Sequence, residues 1–353
     1  MQTPEDWSAA VSEGLIDRAG AERLAAFFAA RERATFGGDA EAVRFVRGFH
    51  DVFLAIGVAI LVLGIGFAAM LATGIPIGTI VPALAAWGLA EVFTRRRRLV
   101  LPSIVLAGAF ATAVGLSAAS LFAIDTEVAA AGTADLPFDW SEGAFGLVTA
   151  AGVVAGALGF FARFRLPFAL GIAALAAVLF VLVGVLWWDL AALPQALVML
   201  AAGLAVFAAA MTCDLADPGR SGLASDNAFW LHLVAAPVIV YAVIGLAGIE
   251  SRFDLGLSEA GLVVAIVAGL GLVALAVDRR ALMVAGLGYL GFAIGRLIAA
   301  TEVTGETMVA ATLVVLGLVI VALGSGWQPA RRFVLRLLPA GLAGRLPPPV
   351  PAG

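Results

Sequence analysis

Apolar residues in this chain come in long blocks separated by short polar intervals, and the blocks are too long for the helices of a soluble core. A helix needs roughly 20 apolar residues to cross about 30 Å of lipid hydrocarbon. Blocks of that size lie at about 52–73, 77–93, 99–123, 143–162, 166–187, 195–212, 228–248, 259–277, 281–299 and 308–324. The pattern predicts an all-α polytopic transmembrane bundle of about ten helices. Pro102 and Pro167, each shortly after a cluster of Arg, fit the first turn of a helix, where a missing N–H breaks no hydrogen bond.

The intervals alternate in charge. Residues 1–50, the intervals after the second, fourth, sixth and eighth blocks, and the C-terminal tail hold 19 of the 21 Arg, including Arg95 to Arg98, Arg163, Arg165, Arg220, Arg279, Arg280, Arg331, Arg332, Arg336 and Arg345. The other intervals are acidic, with Asp125, Glu127, Asp135, Asp139, Glu142, Asp189, Glu250, Asp254, Glu259, Glu302 and Glu306 against Arg252 alone. An excess of basic residues marks the cytoplasmic side. An even number of spans then puts both termini in the cytoplasm of a bacterial-type inner membrane.

Composition agrees with a membrane class. The chain is 62% hydrophobic and 13% charged, with a mean hydropathy of +1.06, where soluble domains run near half and a quarter. The formal charge of −4 sums two aqueous faces of opposite character and says little about partners. All basic residues are Arg, so no Lys nucleophile exists. The single cysteine, Cys213, forms no internal disulfide or thiolate cluster, and at a helix end it reads as an ordinary free thiol. With Glu5 and Asp6 ahead of any basic or apolar run, the first residues are not a cleavable signal peptide, so the first span is expected to direct targeting.

Three segments follow. Residues 1–51 form a cytoplasmic helical hairpin and amphipathic lead-in: Thr3-Pro4-Glu5-Asp6 opens one helix, Asp17 caps a second with Ala21, Leu24 and Phe28 on one face, and Gly37-Gly38 ends it. So short a piece cannot build its own core. It is expected to pack on the membrane domain or to bind a partner protein. Residues 52–324 are the transmembrane domain. Residues 325–353 are read as a short amphipathic helix in the headgroup region, with Arg331, Arg332 and Arg336 toward anionic lipid, followed by the Pro-rich tail Pro347 to Pro351.

The phrases EAVRFVRGFHDVF, AAWGLAEVFTRRRRLVLPSIVL and SDNAFWLHLVAAPVIV resemble an uncharacterised family of bacterial polytopic inner-membrane proteins with a short N-terminal cytoplasmic helical segment. That resemblance implies a location and a fold. It brings no activity and no site residues.

Phosphate loops, H-E-x-x-H and the nucleophile elbow are absent, and two distant histidines make no metal cluster. No cofactor and no enzymatic activity are expected. The Arg clusters follow the insertion rule, which excludes a nucleic-acid reading. Ionisable groups within spans remain the candidates for function. Arg296, in the outer third of the ninth span, shares a side with Tyr289 and Phe292 beside Gly286, Gly288, Gly291 and Gly295, a candidate anion or lipid site; the plainer reading is an Arg snorkelling outward to an acid such as Glu302. Glu91 is expected to pair with the neighbouring Arg cluster. His232 is placed in the first turn of the seventh span, at interface depth and bonded to water or backbone. Tyr241 is expected to bond a neighbouring helix through its hydroxyl. The outer acidic loop from Asp135 to Glu142 reads as solvated.

Pro82 in the second span and Pro237 in the seventh occupy matching positions if the chain is two inverted five-helix halves, a pattern linked to transporter sites. A competing likeness between spans four and eight leaves the repeat unassigned. The sequence slightly favours a non-catalytic accessory or scaffold component that binds partner protein or lipid. The alternative is a transporter or permease for a small solute, an anionic one if Arg296 serves it, with its site between the helical halves.

Overall fold

The computed structural model describes residues 11–24, 26–27, 49–130, 141–217, 222–249, 256–339, 341 and 346. Among the described residues ten long helices follow one another: α1 (Phe49–Thr73), α2 (Ile75–Ala90), α3 (Val100–Ala130), α4 (Ser141–Phe164), α5 (Pro167–Trp187), α6 (Ala192–Ala216), α7 (Leu223–Leu246), α8 (Leu257–Val277), α9 (Ala281–Ala299) and α10 (Gly305–Leu337). A π-helical turn, Glu91–Arg96, continues α2. Among the described residues nine helices have the length and apolarity to cross a membrane; α9 contributes the shorter apolar stretch Gly286–Ala299. Lipid offers the backbone no hydrogen-bond partner, so such blocks must satisfy their amides internally, and helices do.

Small residues set the packing. Ala86, Ala90, Ala107, Ala111, Ala157 and Ala169 are fully buried where α2, α3, α4 and α5 meet. α3 and α4 come into backbone contact at Gly115 and Gly152: a Cβ on Gly152 would stand 2.8 Å from the Gly115 Cα. Neighbouring helices run antiparallel, as shown by Gly156 beside Ala111 and Val114, Gly146 beside Val183, Gly203 beside Ile239, Gly271 beside Met283, and Gly295 beside Thr312. The first five helices meet the second five through α5 against α6 and α7, where Gly171 receives Trp230 and the Phe168 and Trp230 rings cross at 4.8 Å.

These contacts bring the Arg-bearing turns to one end of the bundle. Glu91 bridges the ends of α2 and α4, Phe168 meets Trp230 near the starts of α5 and α7, and Arg279 reaches the end of α6.

Several boundaries differ from expectation. α10 does not stop near 324: it continues unbroken through Pro329 to Leu337, so no separate headgroup helix begins at 325. α7 starts at Leu223, not 228, and α6 extends to Ala216, not 212. Pro82 and Pro237 lie inside continuous helices. In the N-terminal segment the Asp17 cap forms, its Oδ1 accepting from the Gly20 amide at 2.8 Å. Phe28, the Gly37-Gly38 break and the Pro-rich tail lie outside the described residues, as do Asp135 and Asp139 of the acidic loop.

A buried charge cluster as candidate functional site

The longer α6 and α7 carry polar residues into the packed end of the bundle. Asp214 sits in the last turn of α6. Ser225 lies in the first turn of α7 and His232 two turns further on. The turn between α8 and α9 supplies the rest. There Asp278 adopts the left-handed conformation at φ 59° and ends α8, which Asp tolerates better than most side chains. The chain reverses and Arg279 enters the interior.

Arg279 Nε donates to Asp214 Oδ1 at 3.1 Å and Oδ2 at 3.3 Å, and its Nη2 donates to the same Oδ1. That Nη2 also donates to the Ser225 hydroxyl at 3.0 Å and carbonyl at 3.3 Å. His232 Nε2 donates to Asp214 Oδ2 at 2.8 Å, while the Phe207 ring packs edge-on to the imidazole at 5.2 Å. His232 is fully buried, and among the described residues its Nδ1 has no partner. One carboxylate thus gathers a guanidinium and an imidazole from two other elements.

The residues flanking Arg279 hold α10. Asp278 Oδ1 accepts from Trp327 Nε1 at 2.7 Å and pairs with Arg331 Nε at 3.5 Å. The Arg280 guanidinium stands 5.5 Å from the Trp327 ring. Three consecutive residues therefore clamp four elements: Arg279 holds α6 and α7, and Asp278 and Arg280 hold α10 to the α8–α9 turn.

The contacts join α6, α7 and the α8–α9 turn. A His–Asp pair works as a general base only when the other imidazole nitrogen faces a nucleophile or substrate, and here Ser225 bonds Arg279 instead. Among the described residues no group of three His, Cys, Asp or Glu is placed to hold a metal ion.

The structure corrects the sequence reading in three places. His232 is not an interfacial residue in a first turn; it is buried in the third turn of α7, on a carboxylate. Arg279, counted from sequence only among the Arg that follow the insertion rule, is buried at the turn where Asp278 is left-handed. Arg331 does not face lipid; it is fully buried against Asp278 because α10 continues past 324. Asp214 was missed because the sixth apolar block ends before it. A usable signal was the spacing of Trp327 and Arg331, four residues apart and so on one helix face.

The residues singled out from sequence are dispersed. Glu91 pairs with Arg95 at 3.3 Å and, across to α4, with Arg163 at 2.8 Å. Tyr241 accepts a hydrogen bond from Gln195 Nε2 of α6 at 2.9 Å. Pro82 packs against Gly66 of α1, and Pro237 is half-buried in α7. Arg296 is exposed and Tyr289 half-buried, and the glycines beside them serve two interfaces: Gly286 faces Val267 of α8, and Gly291 and Gly295 face α10.

No family model matches the chain, and no curated protein does. Among solved structures, protomer 1 of the ESX-3 core complex is similar at 19% identity, over 89% of this chain and 76% of that one, with a TM-score of 0.48.

Proposed function

We propose that this membrane-spanning helical protein is a non-catalytic scaffold or accessory component of a bacterial inner membrane, binding a partner protein or lipid. The observation that carries the reading is that the buried charges of α6 to α10 close on one another. Ionisable groups within spans mark transport or proton pathways when they face an open route. Here Asp214, His232 and Arg279 are turned toward one another, as are Asp278 and Arg331, and what they achieve is to fix α6, α7, the α8–α9 turn and α10 together. Arg296, on which the permease alternative leans, is exposed.

The gathering of Arg-bearing turns at one end supports a cytoplasmic placement of that end and of both termini. Residues 1–51 are then on the side where a soluble partner is available. The test is the size of the tagged protein extracted from its native membrane in mild detergent, beside a form lacking residues 1–51. The scaffold reading expects an assembly larger than one detergent-bound 35.9 kDa chain, reduced by the truncation. Single-chain particles in both samples would sink it.

A further inference from the structure

The α2–α3 and α4–α5 turns carry six Arg: Arg95, Arg96, Arg97 and Arg98 in one, Arg163 and Arg165 in the other. Glu91 ties the two turns by accepting from both Arg95 and Arg163. Among the described residues, Arg96, Arg97, Arg98 and Arg165 have no ion-pair partner, and all four are exposed. Next to them the rings of Trp87, Phe110, Phe160 and Phe164 pack in tilted and edge-on pairs at centroid distances of 4.5 to 6.4 Å. The Arg163 guanidinium lies 5.6 Å above the Phe164 ring. This aromatic floor fills the space between α2, α3 and α4. The cations stand at the ends of these helices, which in a bilayer is the level of the lipid headgroups.

The insertion rule asks for positive charge beside a span. It does not ask that two turns, far apart in sequence and each carrying unneutralised cations, be tied side by side through one carboxylate. Like charges held together repel, and an anion between them relieves that repulsion. Guanidinium suits phosphate in particular, because its fork of N–H donors matches two phosphate oxygens. We propose that the paired turns bind the phosphate of an anionic phospholipid headgroup, with Arg97 and Arg98 from one side and Arg165 from the other. This site deepens the lipid half of the scaffold reading and rests on its membrane placement, but requires no protein partner.

The test uses the full chain purified in neutral detergent, with the unfolding midpoint followed during titration with phosphatidylglycerol, phosphatidylcholine or inorganic pyrophosphate. Phosphatidylglycerol is expected to raise the midpoint saturably and the other two are not. Arg97→Gln and Arg165→Gln, one in each turn, should each weaken that binding about fivefold, the effect of one basic residue near an anionic surface. Arg336→Gln, an exposed cation on α10, should not change it. Should either turn variant fail to fold, the other carries the test. Wild type indifferent to phosphatidylglycerol, or equal weakening by Arg336→Gln, overturns the site. Pyrophosphate as effective as the lipid overturns the lipid as its ligand. None of these results bears on assembly size, so the scaffold reading stands or falls separately.

Discussion

Arg279 and Asp214 lie 65 positions apart in the chain, yet the guanidinium of one rests on the carboxylate of the other, with side chains only 1% and 5% exposed. Taking both charges from water is costly. Their mutual attraction and the added bonds from His232 and Ser225 offset that cost only while the set is complete.

The costs of removing the two members should therefore not add. Asp214→Asn and Arg279→Gln are each expected to lose about 3–5 kcal/mol of stability. The double variant should lose clearly less than their sum. His232→Phe, which keeps a ring against Phe207 and loses one bond to a charged group, should cost about 1.5–3 kcal/mol. Chemical unfolding in detergent measures all four, and single variants as stable as wild type would show that the cluster does not hold these elements together.

A matched pair of arginines tests burial as the deciding factor. Arg296 is exposed and Arg279 is not. Arg296→Gln should leave the unfolding midpoint where it is, while Arg279→Gln lowers it. Equal shifts would contradict the placement of one or the other.

α10 has an apolar span with none of its residues buried, and the clamp at Trp327 and Arg331 holds its far half. Asp278→Asn keeps the left-handed turn and an acceptor for Trp327 but removes the charge facing Arg331. Amide hydrogen exchange over 325–337 should quicken in this variant, with α3 and α4 unchanged. Exchange identical to wild type would mean that the ion pair does not hold this part of α10.

Two glycines on α4 should respond oppositely to a methyl group. Gly152→Ala drives a Cβ against the α3 backbone and should cost about 1–3 kcal/mol. At Gly159 nothing lies within 4 Å of the added carbon, so Gly159→Ala should be neutral or mildly stabilising through its better helix propensity. Thermal melts of the two variants decide it.

A reporter fused after the C-terminus should be active in the cytoplasm, and one inserted at Asp189 in the periplasm, because the turns at those two ends differ in the sign of their charge. The reverse pattern would invert the whole bundle.

The sequence by itself determined the class, the helices and their order. Length and apolarity suffice for that, because a backbone in lipid must bond internally whatever its neighbours are. It also placed Glu91 beside an Arg cluster, since that pairing is local. What only the tertiary structure decided is which charges are buried. Asp214, Arg279 and Arg331 each fall just beyond an apolar block, where the sequence signature of a solvated flanking charge and that of a buried one are the same. The difference lies in helices that run on by roughly one turn (α6, α7) to more than three (α10), a left-handed Asp278, and partners 18, 54 and 65 residues away. Hydropathy averages over a window and carries no information at that range, so the cluster becomes visible only when the helices pack.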